Sequence, residues 1–339
     1  MTAKVFSLDT QPGIQRDGTV FDRLFYTDGE WVRFQRGRPR KIGGFRVISD
    51  QLTGPSRGVW VNPQNAFTSI FSGYNDGLQV LTIDNNGVGS GVGNFTLSNF
   101  TASDLNLWQF DGFYDVAGTG LQSLVAHPGQ NLASISNDNN TPVLVGDITA
   151  LTMSQIGVFT ASGTTTNASA TVTLATANTL IGAGQTVTGT GIPANTTVVS
   201  IVTTTLVLSN TATASGTVTL TFNNNISVSG GVVSLHPYLF VYGNNGLIQN
   251  CSAGNTNDWV SADANATNVA SGKIVQGLPV RGGSNAPSGL FWSLDSLIRV
   301  SYIGGTGTPA QYWRYDIISS QSSILSSQSA IEYDGVYYW

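Results

Sequence analysis

Short turns of the Asn-Asp-Gly and Asn-Asn-Gly type, set between alternating apolar and polar residues, constrain this chain more than any other feature. Such turns need positive φ at their central positions, which Asn, Asp and Gly tolerate best, and they close tight hairpins. "RGVWVN" (57–62), "AFTSIFSGY" (66–74) and "LQVLTID" (78–84) are separated by "PQN" and "NDG" and followed by "DNNG" (84–87). "QSLVAHPGQNLASISN" (122–137) predicts another strand pair around a Pro-Gly turn, and "SLHPYLFVYGNNGLIQNCSAG" (234–254) a further pair around Asn-Asn-Gly. No long stretch carries the 3.6-residue period of an amphipathic helix. The best short one, "ISSQSSILSSQSAI" (318–331), is so rich in Ser that it reads equally as strand or loop. An all-β fold is expected, in keeping with 40 glycines and abundant Thr, Ser and Asn.

Residues 160–222 differ in kind. They hold no charged residue, 21 of the 63 are Thr, and no Asp, Glu, Lys or Arg occurs anywhere from 148 to 257. "ASATVTLAT" (168–176) and "ASGTVTLTF" (214–222) are near copies that set Val172, Leu174, Val218, Leu220 and Phe222 inward and Thr outward. With "GQTVTGTGIP" (184–193) and "TTVVSIVTTTLVLSN" (196–210) between them, they predict the first and last strands of a small antiparallel β-sandwich with a Thr solvent face. Because the earlier kind of sequence resumes near Val232, this segment reads as a domain inserted into the surrounding fold.

The 276 residues outside it, with turn-linked strands carrying an aromatic near the strand end, point to a β-propeller of short antiparallel strands. At about 40–45 residues per blade there is room for roughly five or six blades, fewer if the N-terminal region is separate. The expected organisation is an N-terminal arm and docking hairpin (1–56), a first propeller part (57–159), the inserted β-sandwich (160–222) and a second propeller part (223–339). The closing "YDGVYYW" follows a hairpin-like Asp-Gly and stops as if mid-strand. Either Trp339 closes the ring against an N-terminal strand, or the chain belongs to a longer one.

Charge is distributed unevenly. Residues 1–57 hold ten of the fourteen Lys/Arg against six acids, whereas 58–272 hold no Lys or Arg and nine Asp. Nucleic-acid binding depends on neutralising phosphates with Lys and Arg, so the long cation-free stretch excludes a DNA-gripping surface there. No Lys/Arg-flanked apolar run of signal-peptide length opens the chain, and no run reaches the ~18 apolar residues of a membrane span. The expectation is a protein that acts inside a cell or leaves by a route needing no such signal.

Catalysis finds little support in the residues. The two histidines, His127 in "AHPG" and His236 in "LHPY", each precede a proline and read as turn-rim structural groups. No GxSxG, HExxH or GxxxxGK[ST] pattern is present. "GVGSGVG" (87–93) lacks the register and following helix of a phosphate-cradling loop. The acidic turns "NDNN" (137–140) and "DNNG" lack an EF-hand continuation. The single cysteine, Cys251, rules out an intrachain disulfide or CxxC site and reads as a small buried hydrophobe. Seven Trp spread along the chain read as anchors of sheet cores, with a carbohydrate-stacking platform as the other reading. The expectation is no enzyme, no cofactor and no metal.

"GEWVRFQRGRPRKIGGF" (29–45) stands apart: five of the nine residues from Arg33 to Lys41 are basic. Trp31 and Arg33 are predicted on one face of a strand and Val32 and Phe34 on the other, with "RGRP" as the turn and "KIGGF" as the return strand. Beside so long a cation-free body, Arg33, Arg36, Arg38, Arg40 and Lys41 read as the positive half of a contact with a neighbouring subunit or adaptor rather than as a DNA arm.

Three stretches together resemble the β-propeller tail nozzle (tail tube) and packaged-DNA-stabilising proteins of short-tailed bacteriophages. They are "PGIQRDGTVFDRLFYTDGEWVRFQRGRPRKIGGF" (12–45), "HPYLFVYGNNGLIQNCSAGNTNDW" (236–259) and "GLFWSLDSLIRVSYIGG" with the segment from Trp313 to Trp339. The Thr-rich segment is similar to immunoglobulin-like insertions of phage structural proteins. The resemblance implies a structural virion protein, located in the tail and assembled in the bacterial host cytoplasm. It implies a homo-oligomeric ring, a hexamer favoured, that docks below the portal/adaptor ring and carries distal tail or needle proteins. Such a ring retains packaged DNA and conducts it during ejection, the DNA passing through the lumen without tight binding. The alternative is a receptor- or glycan-binding tail appendage, an adhesin module in which the propeller or the insert binds a surface glycan.

Overall fold

The computed structural model describes residues 11–16, 25–43, 47–49, 51–63, 67–75, 77–95, 106–114, 122–130, 143–145, 153–281 and 286–339. The chain forms two compact units, Met1–Asp50 and Gln51–Trp339. In the first, β1 (Gln11–Ile14) pairs in parallel with β2 (Phe25–Tyr26), and β3 (Val32–Gln35) forms an antiparallel hairpin with β4 (Arg38–Lys41). The Tyr26 and Phe34 rings, 5.5 Å apart, join the two pairs.

The second unit is all-β and antiparallel throughout its described ladders. Its first four-stranded sheet runs in chain order as β5 (Gly58–Pro63), β6 (Phe67–Tyr74), β7 (Gly77–Asp84) and β8 (Gly89–Phe95). The second is β9 (Asn106–Tyr114), β10 (Gln122–Gln130), β11 (Val143–Val145) and β12 (Met153–Gln155). A six-stranded sheet follows, from β13 (Val158–Thr165), β14 (Thr171–Leu174), β15 (Thr186–Thr188), β16 (Val198–Val202), β17 (Thr205–Leu208) and β18 (Gly216–Asn223). Its strand order is β15-β18-β13-β14-β17-β16. The third four-stranded sheet is β19 (Gly231–Leu235), β20 (Tyr238–Tyr242), β21 (Leu247–Asn250) and β22 (Asn265–Asn268). The fourth is β23 (Ile274–Pro279), β24 (Ser288–Ser293), β25 (Leu297–Thr306) and β26 (Gln311–Ser319), and the hairpin β27 (Ile331–Tyr333) with β28 (Val336–Tyr338) ends the chain. Among the described residues no α-helix forms, and a single 3₁₀ turn, Asn244–Gly246, joins β20 to β21.

Side-chain alternation explains how these sheets stack. A strand sends successive side chains to opposite faces. In β10, Leu124 and Ala126 join a core with Phe71, Leu78, Val80 and Trp108, while Val125 joins a different core with Phe113, Val232, Leu239 and Val241. In β20, Leu239 and Val241 belong to that second core, while Tyr238, Phe240 and Tyr242 pack with Phe291, Ile298, Val300 and Trp313. In the fourth sheet, Ile274 and Phe291 face this third core, and Val275 and Trp292 face a fourth with Ile324 and Ala330. The inner sheets are therefore buried on both faces, so "YLFVY" is apolar at every position and all five of its residues are buried. The first strand of each four-stranded sheet contacts the first strand of the next: β5 meets β9, β9 meets β19, and β19 meets β23.

The six-stranded sheet has a core of its own, including Val172, Leu174, Leu206, Leu220 and Phe222, with Val218 partly buried against it. Thr171, Thr173, Thr217 and Thr219 are exposed, as the alternation predicts. The near copies are β14 and β18, and β13 lies between them, paired with both. Its inward residues include Ala161 and Gly163, too small to announce a strand, and Gly163 is where Leu220 and Val172 crowd closest. The two edge strands are linked by backbone bonds from Val187 N–H to Thr196 O and from Val198 N–H to Gln185 O, both 2.9 Å.

Three local expectations are corrected. Pro128 and Gly129 do not form a turn; they continue β10 and pair with Trp108 and Leu107. Among the described residues β11 pairs with β10 from Leu124 to Ala126, so Pro128 lies beyond that ladder, where its missing N–H breaks no described bond. His127 is consequently buried within that strand rather than set on a rim, whereas His236 is exposed in the β19–β20 turn. The tryptophans divide: Trp108, Trp292 and Trp313 are buried, Trp60 and Trp259 pack partly against cores, and Trp31 and Trp339 are exposed. Cys251 is fully buried, and its Sγ accepts the Leu239 N–H at 3.3 Å. "NDNN" (137–140) lies outside the described residues.

Candidate docking surface and inter-sheet cleft

The β3–β4 hairpin presents the basic residues. The pairs are Val32 with Lys41, Arg33 with Arg40, Phe34 with Pro39 and Gln35 with Arg38, leaving Arg36-Gly37 as a two-residue turn. Both turn residues have positive φ, 51° and 76°, the geometry of a type I′ turn. The turn is thus tighter than "RGRP", and the return strand begins at Arg38, three residues before "KIGGF", whose Gly44 and Phe45 lie outside the described residues. Trp31 has a φ of 57° and stands just before β3, so it does not share a strand face with Arg33. The Ile42 N–H bond to Trp31 O, 2.8 Å, prolongs the ladder.

Directly paired residues share a face. Arg33, Arg38 and Arg40 therefore stand together beside Gln35, Arg36 occupies the turn, and Lys41 lies on the opposite face with the half-buried Val32 and Phe34. All five cations are exposed, and among the described residues none has an acidic partner within ion-pair distance. Arg33 directly opposite Arg40 is a like-charge pair, which destabilises a ladder by about 0.2–1 kcal/mol. Arginine is also a poor residue for positive φ, where Asn or Gly costs less. The hairpin thus keeps its charge against the preferences of its own backbone.

In the second unit, the converging first strands line a cleft of about 370 Å³. Its polar groups tie one sheet to the next. Gln109 on β9 donates from Nε2 to Gly230 O and accepts from the Tyr242 hydroxyl at 2.7 Å; the Gly277 N–H in turn donates to the Tyr242 oxygen at 3.0 Å. Asp111, also on β9, accepts the Ser234 N–H at 2.7 Å and the Gly112 N–H at 2.8 Å. Burial pushes the Asp111 carboxyl above its ordinary value, with the two N–H bonds and the Arg281 charge opposing the shift. Burial also raises the Tyr242 hydroxyl. The carboxylate and the amide are thereby committed to joining strands rather than to a reactant. Among the described residues no three His, Cys, Asp or Glu side chains gather as a metal site.

No protein-family model matches the sequence, and no curated protein matches it either.

One surface escaped the sequence reading. In the last hairpin Ile331 pairs with Tyr338 and Tyr333 with Val336, so these four side chains share one face, and each is at least half exposed. The opposite face is anchored: the Tyr337 ring lies 6.2 Å from Trp292, and its hydroxyl donates to Pro279 O at 2.7 Å. "IEYDGVYY" shows the alternation plainly, but only the Tyr337 anchor decides which face is outward.

Proposed function

We propose that this chain is a ring-forming tail nozzle of a short-tailed bacteriophage virion, a structural protein that docks below the portal or adaptor ring, retains packaged DNA and conducts it during ejection. In this reading the four-stranded sheets are blades of a β-propeller, and the six-stranded sheet is an inserted β-sandwich domain. Support for the blades comes from sheets buried on both faces and from first strands that meet in succession. The observation that carries the docking reading is the hairpin on which Arg33, Arg38 and Arg40 stand together with no acidic partner among the described residues. A negatively charged neighbour in the assembly relieves the repulsion that this face stores, and the cation-free stretch of 58–272, with nine Asp, brings negative charge of that kind on adjoining copies. The exposed apolar face of β27–β28 supports assembly as well, because a contiguous apolar patch marks a contact surface. An acidic body also suits a conduit through which DNA slides without adhering.

The purified chain is expected to form rings, six-fold in averaged electron micrographs, and charge reversal at Arg33, Arg38 and Arg40 is expected to leave folded protomers. Duplex DNA at low salt is expected to bind weakly. Tight, salt-sensitive DNA binding lost on neutralising Arg33, Arg36, Arg38, Arg40 and Lys41 would overturn docking in favour of a nucleic-acid arm, and a trimeric spike would favour a receptor-binding appendage.

A further inference from the structure

Outside the cleft and the hairpin, a further concave site lies between the outermost strands of the third and fourth sheets, β22 and β26. It is a groove of about 300 Å³ to which Asn265 and Thr267 contribute from one side and Gln311, Tyr312 and Tyr315 from the other. That volume is at the small end of the ~300–1,000 Å³ typical of ligand pockets, room for a single ring-sized molecule. None of its lining residues is charged.

The polar groups are held in fixed orientation. Asn265 Nδ2 donates to Thr267 Oγ1 at 3.0 Å and to the Tyr315 hydroxyl oxygen at 2.9 Å, which uses both amide hydrogens. Its Oδ1 then has no donor among the described residues and is the free acceptor. Tyr315 receives the amide hydrogen on its oxygen and keeps a hydroxyl proton to give, and burial raises its pKa above the ordinary value, so that the proton stays. Gln311 is exposed at the groove and has both donor and acceptor atoms. The half-exposed Tyr312 ring stands 6.4 Å from the Tyr302 ring, and a Cβ at Gly305 would touch it, so the aromatic is braced. Trp313, whose ring is edge-on to Tyr238 and Phe240, backs the groove.

From this arrangement we infer that the β22–β26 groove is a binding site for a neutral hexose ring, stacked on Tyr312 and held through adjacent hydroxyls by Asn265 Oδ1 and the Tyr315 hydroxyl. A braced aromatic face matches the apolar C–H face of a pyranose, and an acceptor beside a donor matches a vicinal diol. A phosphorylated or carboxylated ligand would need a cation, and the groove offers none. The inference stands independently of the nozzle reading and places glycan contact on the fourth sheet's edge rather than on the Thr-rich segment.

The test is titration of the full chain with glucose, galactose, mannose and N-acetylglucosamine, followed by saturation-transfer difference signals and by the emission of the protein's tryptophans. At least one sugar is expected to give saturable binding in the millimolar range, and inorganic phosphate none. Tyr312→Ala and Asn265→Ala are each expected to weaken that binding about tenfold or more, the loss of one stacking or hydrogen-bond contact. Tyr315→Phe, which removes only the hydroxyl and leaves the packing, should weaken it as well and guards against loss of fold in the others. Absence of saturable binding for all four sugars overturns the inference. So does binding that survives Tyr315→Phe and Tyr312→Ala unchanged, or a response to phosphate in place of sugar.

Discussion

At the scale of single residues, the closeness of the sheets is set by positions where no side chain fits. A Cβ at Gly73 would fall inside the Trp108 indole, whose Nε1–H donates to Tyr74 O at 2.9 Å. Gly73→Ala is expected to cost about 1–3 kcal/mol by overpacking. Gly91, with nothing within 4 Å of its notional Cβ, is the control, and Gly91→Ala should change the urea midpoint little. Asp111 gives a pH signature. Burial raises its folded-state carboxyl above the ordinary 3.8, so the folded protein holds that proton more tightly than the unfolded chain does. Its contribution is therefore most favourable below that value and is lost as pH rises through the higher folded one. The stability of the native chain minus that of Asp111→Asn should fall as pH rises above the ordinary 3.8. A difference that is flat or grows toward neutrality would show that the Ser234 and Gly112 N–H bonds outweigh desolvation.

At the scale of elements, the β3–β4 hairpin sets stability against contact. Arg40→Glu turns the like-charge pair with Arg33 into an opposite-charge pair, which should stabilise the ladder by about 0.2–1 kcal/mol. Slower hydrogen exchange of the β3 and β4 amides would register that gain, and the same variant should lose ring assembly. Faster exchange would mean that the two arginines do not oppose each other across the ladder. Elements of this kind were largely legible in the sequence, because alternation and turn chemistry are local: Val172 and Leu174 in, Thr171 and Thr173 out. Double burial was not, since "YLFVY" says that both faces are covered but not by what. β13 was hidden by Ala161 and Gly163, and the small size of Gly163 is the very reason it fits between Leu220 and Val172. The basic run was visible as a run, but its division into one three-arginine face, a turn residue and an opposed Lys41 required the register. The cleft and the groove were out of reach, because their partners are remote along the chain: Gln109 and Tyr242 are 133 residues apart, and Asn265 and Tyr315 are 50.

At the scale of the whole molecule, the question is whether the six-stranded sheet is a guest or a structural member of the second unit. Its first and last strands are paired at their outer ends, Val158 with Asn223, and the Asn224 N–H donates to Gly157 O at 3.0 Å. Chain entry and exit therefore lie side by side, the geometry that tolerates insertion of a domain. Its core is closed among its own strands. Its side-chain ties to its surroundings among the described residues include Gln185 Nε2 donating to Asn224 Oδ1 at 2.7 Å, Thr186 Oγ1 donating to Asn225 Oδ1 at 3.1 Å, Asn225 Nδ2 donating to Gly184 O at 3.2 Å, and Gly182 lying against Val260. Replacing residues 158–223 with a short Gly-Ser linker should thus remove contacts worth about 2–4 kcal/mol and lower the melting midpoint by roughly 4–16 °C. The Trp108 and Trp313 environments should keep their native emission, and melting should stay cooperative. Loss of cooperativity would make the sheet integral to the unit. The same variant separates the functional readings, since a nozzle whose contacts lie on the arginine hairpin and the β27–β28 face still forms rings without the segment, whereas an appendage that adheres through its Thr-covered surface stops decorating cells.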